Sequence, residues 1–269
     1  MPAALTPEEL AAFSRDGVVC LRARFDSQWI ERLREATQRC IDDPGPNAVI
    51  GDRSKAGFFF GDQDMWWRDE TFRNFIFDSP AAQIAAQAMG SGAVNFFFDQ
   101  IIVKEPGTVQ RTPWHQDLPY WAVTGSQICA IWLALDPVAA ENSVQYVVGS
   151  HRWGKEFSPR HFADSTPYDG TGLPLLPDID ALRPTLDIRS WDMEPGDCLL
   201  FHALMVHGAA GNSSLQHRRR AVSTRWCGDD ARYFKRPGEV AVPSKDPGIR
   251  YGDALTCEMF PRVWPKNPN

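Results

Sequence analysis

Apolar positions keep mostly helical spacing as far as Met89 and strand-like spacing from Val94 onward. Thr6-Pro7-Glu8-Glu9 reads as a capping box with proline at the first helical position, and Gly17 stops the helix it opens. The short apolar run Val18–Leu21 predicts a strand. Ile30, Leu33, Cys40 and Ile41 recur near the helical period, so residues 27–41 are expected to form a helix. Pro44-Gly45-Pro46 breaks that pattern. A segment rich in glycine, aspartate and aromatics follows, including Gly57-Phe58-Phe59-Phe60-Gly61 and Met65-Trp66-Trp67. Residues 72–77 and 80–89 return to helical spacing.

Beyond that point, residues 94–103 are dense in aromatic and branched side chains, which suits a sheet. Residues 127–135 are apolar on both alternating faces, so an interior strand covered on both sides is expected there. Residues 144–148, 185–188, 198–201 and 221–226 continue the series, with Glu194-Pro195-Gly196-Asp197 supplying a tight turn. Short strands punctuated by turns predict a mainly β fold with flanking helices, as a sandwich or jelly roll. The Pro-, Gly- and Asp-rich stretch 158–179 reads as a surface insertion or lid. No repeat or linker is visible. The expectation is one domain over 1–269, with a helical layer at 1–92, a β core at 93–230 and a C-terminal extension at 231–269.

Composition narrows the function classes. With 43% apolar and 23% charged residues in 269, the chain has an ordinary globular make-up. No stretch approaches the roughly 18 uninterrupted apolar residues of a membrane span. The opening MPAALTPEEL has no basic region followed by an apolar run, so no secretory leader is expected. The net charge of −6 argues against binding a nucleic-acid backbone. None of the six cysteines forms a CxxC or CxH pair, so they read as reduced, small hydrophobes. A cytoplasmic enzyme acting on a small molecule, without nucleic-acid or membrane partners, is expected. The oligomeric state is not written in these patterns.

The sharpest chemical signal is Pro113-Trp114-His115-Gln116-Asp117. If the segment is a strand, His115 and Asp117 face the same way and can converge on one ion. An imidazole and a carboxylate are two-thirds of the facial triad of iron(II) oxygenases, which leaves coordination positions open. The plainer reading of an isolated HxD is a polar surface pair, so a second histidine is required. His151 follows a Gly-Ser turn, His161 lies in the insertion and His217 adjoins an arginine run. His202 and His207 flank an apolar segment, and their odd separation puts them on opposite strand faces. His207 is favoured because Gly208, Ala209, Ala210 and Gly211 leave room around it. Arg218-Arg219-Arg220 is ordinarily a solvated charge run, but here it enters a strand. Arg219, Ala221 and Ser223 share one face of it, and an inward arginine suits a buried carboxylate.

These residues resemble the phytanoyl-CoA dioxygenase family. The likeness runs through Lys104-Glu105-Pro106-Gly107, Thr112 to Trp121, Ile131 to Leu135, Glu141-Asn142 and Gly149-Ser150-His151. It continues in order with Pro195-Gly196-Asp197, Phe201-His202, His207-Gly208, Asn212-Ser213-Ser214 and Arg219-Arg220-Ala221. It covers about residues 5–230. The resemblance implies a double-stranded β-helix, the cupin-like jelly roll, using iron(II), 2-oxoglutarate and dioxygen. His115, Asp117 and His207 fall on the family's metal ligands, and Arg219 on the arginine that takes the far carboxylate of 2-oxoglutarate; Arg218 is the alternative. Lys104, Thr112, Trp132 and Asn142 fall near the co-substrate. Two departures stand out: Ala209 where a serine is common, and Ser143 where a glycine is common. Asp117 argues against the halogenases, which lack the carboxylate. The implied reaction is oxidation of a C–H, hydroxylation by default, releasing succinate and carbon dioxide.

Substrate residues are the least defined. Gln116, Tyr120 and Trp121 adjoin the metal motif, and Phe60 sits in the aromatic segment, so these are the expected substrate contacts. The plainer reading is that such aromatics join helices to sheet. Apart from Arg218 to Arg220 no basic cluster suggests a CoA phosphate site, which favours a small or medium apolar metabolite over an acyl-CoA. A jelly-roll binding protein without turnover is the reading from another class.

Overall fold

Thr6 accepts from the Glu9 backbone N–H while the Glu9 carboxylate accepts from the Thr6 N–H, closing the expected capping box on α1 (Pro7–Asp16). The computed structural model describes residues 4–52, 57–162, 164–238 and 240–265. Helix α1 ends at Gly17, whose φ of 79° lets the chain turn straight into β1 (Val18–Leu21). Asp26 and Asp69 cap α2 (Ser27–Asp42) and α3 (Glu70–Asp78), and α4 (Ala81–Met89) closes the helical layer. A short α5 (Ile179–Leu182) comes much later, at the end of the insertion.

The remaining strands are β2 (Val49–Ile50), β3 (Phe59–Gln63), β4 (Val94–Lys104), β5 (Thr112–His115), β6 (Val123–Thr124) and β7 (Ile128–Ala134). After these come β8 (Val144–Val147), β9 (Ile188–Arg189), β10 (Cys198–His202), β11 (His207–Ala209), β12 (Arg219–Cys227), β13 (Arg232–Tyr233) and β14 (Arg262–Trp264). The larger antiparallel sheet runs β1-β10-β7-β12-β4-β3-β2, with β14 also on β4. The smaller runs β5-β11-β8-β9, and β6 pairs with β13 apart from both.

Strand β7 shows why the layers stack as they do. Every residue in it is buried. Ile131 and Leu133 pack outward into a cluster with Leu33, Phe72, Phe75 and Ile84 of the helices. Ala130, Trp132 and Ala134 pack inward with Val144 and Tyr146 of the smaller sheet. The two-faced apolar run therefore separates a helical layer from the interior of a β sandwich. Strand β12 does the same with a polar inner face, sending Val222 and Trp226 to the helices. Among the described residues no helix is long and apolar enough to cross a membrane.

Three expectations change. Residues 59–63, read as part of a helical layer and its aromatic link, pair in register onto β4, and residues 49–50 pair onto them, widening the larger sheet. Phe60 is consequently 0% exposed among the core side chains under the helices, so it is a packing residue and not a substrate contact. The strand expected at 185–188 starts only at Ile188, as β9, because Thr185 closes the 3-10 turn Arg183–Thr185, where Pro184 has no N–H to donate to a ladder.

Gly17 joins the first helix to the sheet, and a Cβ there would collide with the His151 and Met205 side chains. Gly17→Ala combines that collision with a positive φ. The expected loss is about 2 kcal/mol or more, read as a fall in Tm of about 4–8 °C. A Tm within a degree of the parent would contradict the packing described.

Candidate metal centre

Strand β5 carries His115 into the interior and ends there. Asp117 has φ −73° and ψ −45° and opens the 3-10 turn Leu118–Tyr120. His115 and Asp117 thus converge because the chain turns between them, not by strand alternation as expected. Strand β11 pairs with β5 so that His207 lies opposite His115, with ring centroids 4.2 Å apart. Asp117 Oδ1 is 3.4 Å from His115 Nε2 and 3.7 Å from His207 Nε2. One ligand atom from each of the three lies within 4.8 Å of the others, and all three residues are buried. His202 ends the neighbouring strand β10 and turns its Nε2 to the Ser126 carbonyl at 3.0 Å. The two histidines are separated by a change of sheet, not by strand parity.

Each imidazole is pinned from behind. His115 Nδ1 meets the Pro113 carbonyl at 2.8 Å and His207 Nδ1 meets that of Met205 at 2.9 Å. A carbonyl only accepts, so Nδ1 carries a proton and Nε2 is the nitrogen left to face Asp117. Burial pushes His207 down to about 4, which keeps it neutral and able to coordinate. Burial opposes ionisation of Asp117, but His207, His115 and Arg225 outweigh it and hold the carboxyl below its ordinary range. The guanidinium beside this carboxylate is that of Arg225, whose Nε lies 3.9 Å from Asp117 Oδ2. Neither of these two atoms has a hydrogen-bond partner. Two imidazole nitrogens and one carboxylate oxygen facing one another in a buried cluster fit a divalent metal.

Gly208 serves a different purpose from the room expected of it. A Cβ there would press on the Thr112 carbonyl and the Trp114 ring, so the glycine permits close pairing of β11 with β5. Ala209 is buried on the inward side.

Arg219 is 3% exposed, donates from Nη1 to the Asn142 carbonyl, and keeps Nε unpartnered. Its guanidinium lies 5.9 Å from the Trp132 ring centroid, and burial lowers its pKa to about 10, leaving it charged at neutral pH. Arg218 points elsewhere, gripping Glu105 with two nitrogens and Gln38 with the third; it is no rival for an interior anion. Lys104 stands opposite Arg219 in the β4–β12 register, fully buried. Its ammonium donates to the carbonyls of Gln110 and Ala210, and burial with Arg219 and Arg111 nearby pushes it down to about 6. The Asn142 amide oxygen is taken by Ser213. Thr112 starts β5 opposite Ala209.

Of the expected substrate contacts, Gln116 is a correction. Its amide is spent on the Lys155 and Leu204 carbonyls and the Phe157 N–H, so it ties loops together. Tyr120 sets its ring edge on His115 at 5.7 Å. Trp121 packs against Phe97 and Phe98, with the Arg225 guanidinium 6.0 Å from its ring centroid. Sequence reasoning missed three neighbours. Arg225 continues the inward face of Arg219, Ala221 and Ser223, a parity that could have found it. Tyr146 stacks on His207 at 5.6 Å, with its hydroxyl buried and unpartnered, and pairs with it across β8 and β11. Phe162 lies in the insertion with its ring 4.8 Å from His115, which no local pattern announces.

Residues 13–221 match the phytanoyl-CoA dioxygenase (PhyH) family. A phytanoyl-CoA dioxygenase domain-containing protein 1 homolog from Caenorhabditis briggsae is 26% identical over 251 residues, covering 77% of this chain and 85% of that one. The multifunctional dioxygenase ausE of Emericella nidulans is 28% identical over 239 residues, covering 82% and 73%. Among solved structures, the non-heme alpha ketoglutarate dependent carbocyclase SnoK from nogalamycin biosynthesis superposes with a TM-score of 0.77 at 20% identity, over 98% of both chains. EctD from S. alaskensis, solved with 2-oxoglutarate and 5-hydroxyectoine, gives 0.73 at 18% identity, over 93% of this chain and 85% of that one. These likenesses make the two-sheet architecture a jelly roll. With its His-Asp-His cluster, the chain belongs to the phytanoyl-CoA dioxygenase family of iron- and 2-oxoglutarate-dependent oxygenases.

Proposed function

We propose that this oxygenase hydroxylates an unactivated C–H of a small or medium, largely apolar metabolite. The observation that carries the reading is the buried His115–Asp117–His207 cluster with its coordinating atoms turned inward. In this reading the two Nε2 atoms and Asp117 Oδ1 hold iron(II), and three protein donors leave positions for co-substrate and dioxygen. Iron bound with 2-oxoglutarate and dioxygen supplies the oxidant, releasing succinate and carbon dioxide. Arg219 takes the far carboxylate of 2-oxoglutarate, since it is a buried cation with an unspent donor. Trp132 and the Asn142 carbonyl hold its guanidinium in place. Lys104, with two donors given to backbone carbonyls, shapes that end of the pocket instead of adding a second clamp.

The insertion acts as a cover. Tyr120 Oη accepts from the Arg160 N–H and donates to the Arg160 carbonyl, both at 2.8 Å, fastening the segment that carries Phe162 over His115. Excluding water there protects the oxidant from unproductive reaction.

An acyl-CoA substrate is less well supported. Arg218 is paired with Glu105 and Arg220 with Asp136, so the arginine run offers no free phosphate site. The fungal multifunctional dioxygenases and the nogalamycin enzymes among the similar proteins favour a secondary-pathway metabolite. Six unpaired cysteines suit a reducing, cytoplasmic setting.

Anaerobic addition of iron(II) and 2-oxoglutarate is expected to produce a weak visible charge-transfer band; folded protein without it would favour a binding module. Asp117→Ala is expected to abolish iron-dependent succinate formation, and retained turnover would reject the carboxylate's role. Arg219→Ala is expected to raise the 2-oxoglutarate requirement roughly ten- to a hundredfold, with iron binding intact, as loss of a charged hydrogen bond implies. An equal effect from Arg218→Ala would reverse that assignment. Tyr120→Phe removes hydrogen bonds of about 1 kcal/mol, so the Arg160 amide is expected to exchange roughly fivefold faster with deuterium. Unchanged exchange would mean the cover is fastened elsewhere.

A further inference from the structure

We propose that Arg225 is a positioning residue: it holds the second oxygen of Asp117, so that the carboxylate meets the metal through Oδ1 alone. The inference rests on the reading of His115, Asp117 and His207 as metal ligands. The two oxygens of Asp117 face different neighbours. Oδ1 lies between the two Nε2 atoms, at 3.4 and 3.7 Å. Oδ2 is buried, has no hydrogen-bond partner, and faces Arg225 Nε at 3.9 Å, a donor that is also buried and unspent.

The rest of the guanidinium is anchored. Nη1 donates to the Ser223 carbonyl and Nη2 to Gln100 Oε1, each at 3.0 Å. The rings of Phe98 and Trp121 lie 4.5 and 6.0 Å from its central carbon. One free donor is thus held toward one free acceptor, and a small rotation of the carboxylate closes the gap to a charge-assisted hydrogen bond.

The consequence is control of the coordination number. A carboxylate with both oxygens free can close on a divalent ion with both, taking a position that co-substrate or dioxygen requires. Engaging Oδ2 limits the protein to three donors. This also accounts for a cation kept in the interior, where an apolar residue would leave Asp117 as an uncompensated buried charge.

Cobalt(II), added to the metal-free protein, is the probe, because its visible band reports the number and arrangement of its ligands. The parent is expected to give a weak band distinct from that of aqueous cobalt. Arg225→Met, which releases Oδ2, is expected to shift that band and change its intensity. Arg225→Lys, which retains a cation there, is expected to return it toward the parent. Gln100→Leu unties Nη2 with Arg225 still present, and an intermediate shift is expected; it serves where Arg225→Met does not fold. Affinity alone does not discriminate, since removing Arg225 also removes a like charge beside the metal. Bands unchanged from the parent in Arg225→Met and Gln100→Leu would overturn the assignment, whatever their thermal stability. A parent that gives only the aqueous spectrum would remove the metal reading, and this assignment with it.

Discussion

The pairing of β5 with β11 is the constraint on which the rest of the site depends. It sets His207 opposite His115, and without it no turn after His115 could bring three ligands together. The pairing is held from outside the site. The Gly17 carbonyl accepts from the His202 N–H at the end of β10, and the Asp16 carbonyl accepts from Gly149. The Ser150 hydroxyl accepts from the Val206 N–H, one residue before His207. The close of the first helix therefore sets where the loop into β11 begins, which is why a layer far from the chemistry still governs it.

The interior is costly as a folding solution. Asp117, Arg219, Arg225 and Lys104 are all buried within it, and charges removed from water are expensive unless paired. The chain offsets part of the cost in the ordinary way, with Lys104 held largely neutral and giving its hydrogens to two carbonyls. It leaves Arg219 Nε, Arg225 Nε and Asp117 Oδ2 unsatisfied. Polar groups without partners inside a well-packed sandwich mark where stability has been set below function.

Much of the architecture is legible in the sequence because local rules act alone there. The Thr6 cap, the Gly17 stop, the apolar period of α2 and the two-faced run of β7 need no distant partner. Other features fail for tertiary reasons. Phe59–Gln63 becomes a strand because β4 offers an open edge, and Phe60 is then a core residue under the helices. Strand alternation gives the right pairing of His115 with Asp117 for the wrong reason, since the backbone turns helical at Asp117. The odd spacing of His202 and His207 separates them, but by crossing from one sheet to the other. Phe162 is invisible because its place over His115 depends on a loop fastened by Tyr120.

Strand β12 shows how one period-two pattern organises both ends of the site. Its inward face reads Arg219, Ala221, Ser223, Arg225, and its outward face sends Val222 and Trp226 to the helical core. Apolar packing on the outside fixes the register, because a slip of one residue would turn both arginines out and bury their neighbours in their place. Ala221 and Ser223, both small and buried, stand between the two arginines on that face. Arg219 lies at one end of this face beside Trp132, and Arg225 at the other beside Asp117. The hydrophobic face of a single strand therefore sets how far the Arg219 guanidinium stands from the His115–Asp117–His207 cluster.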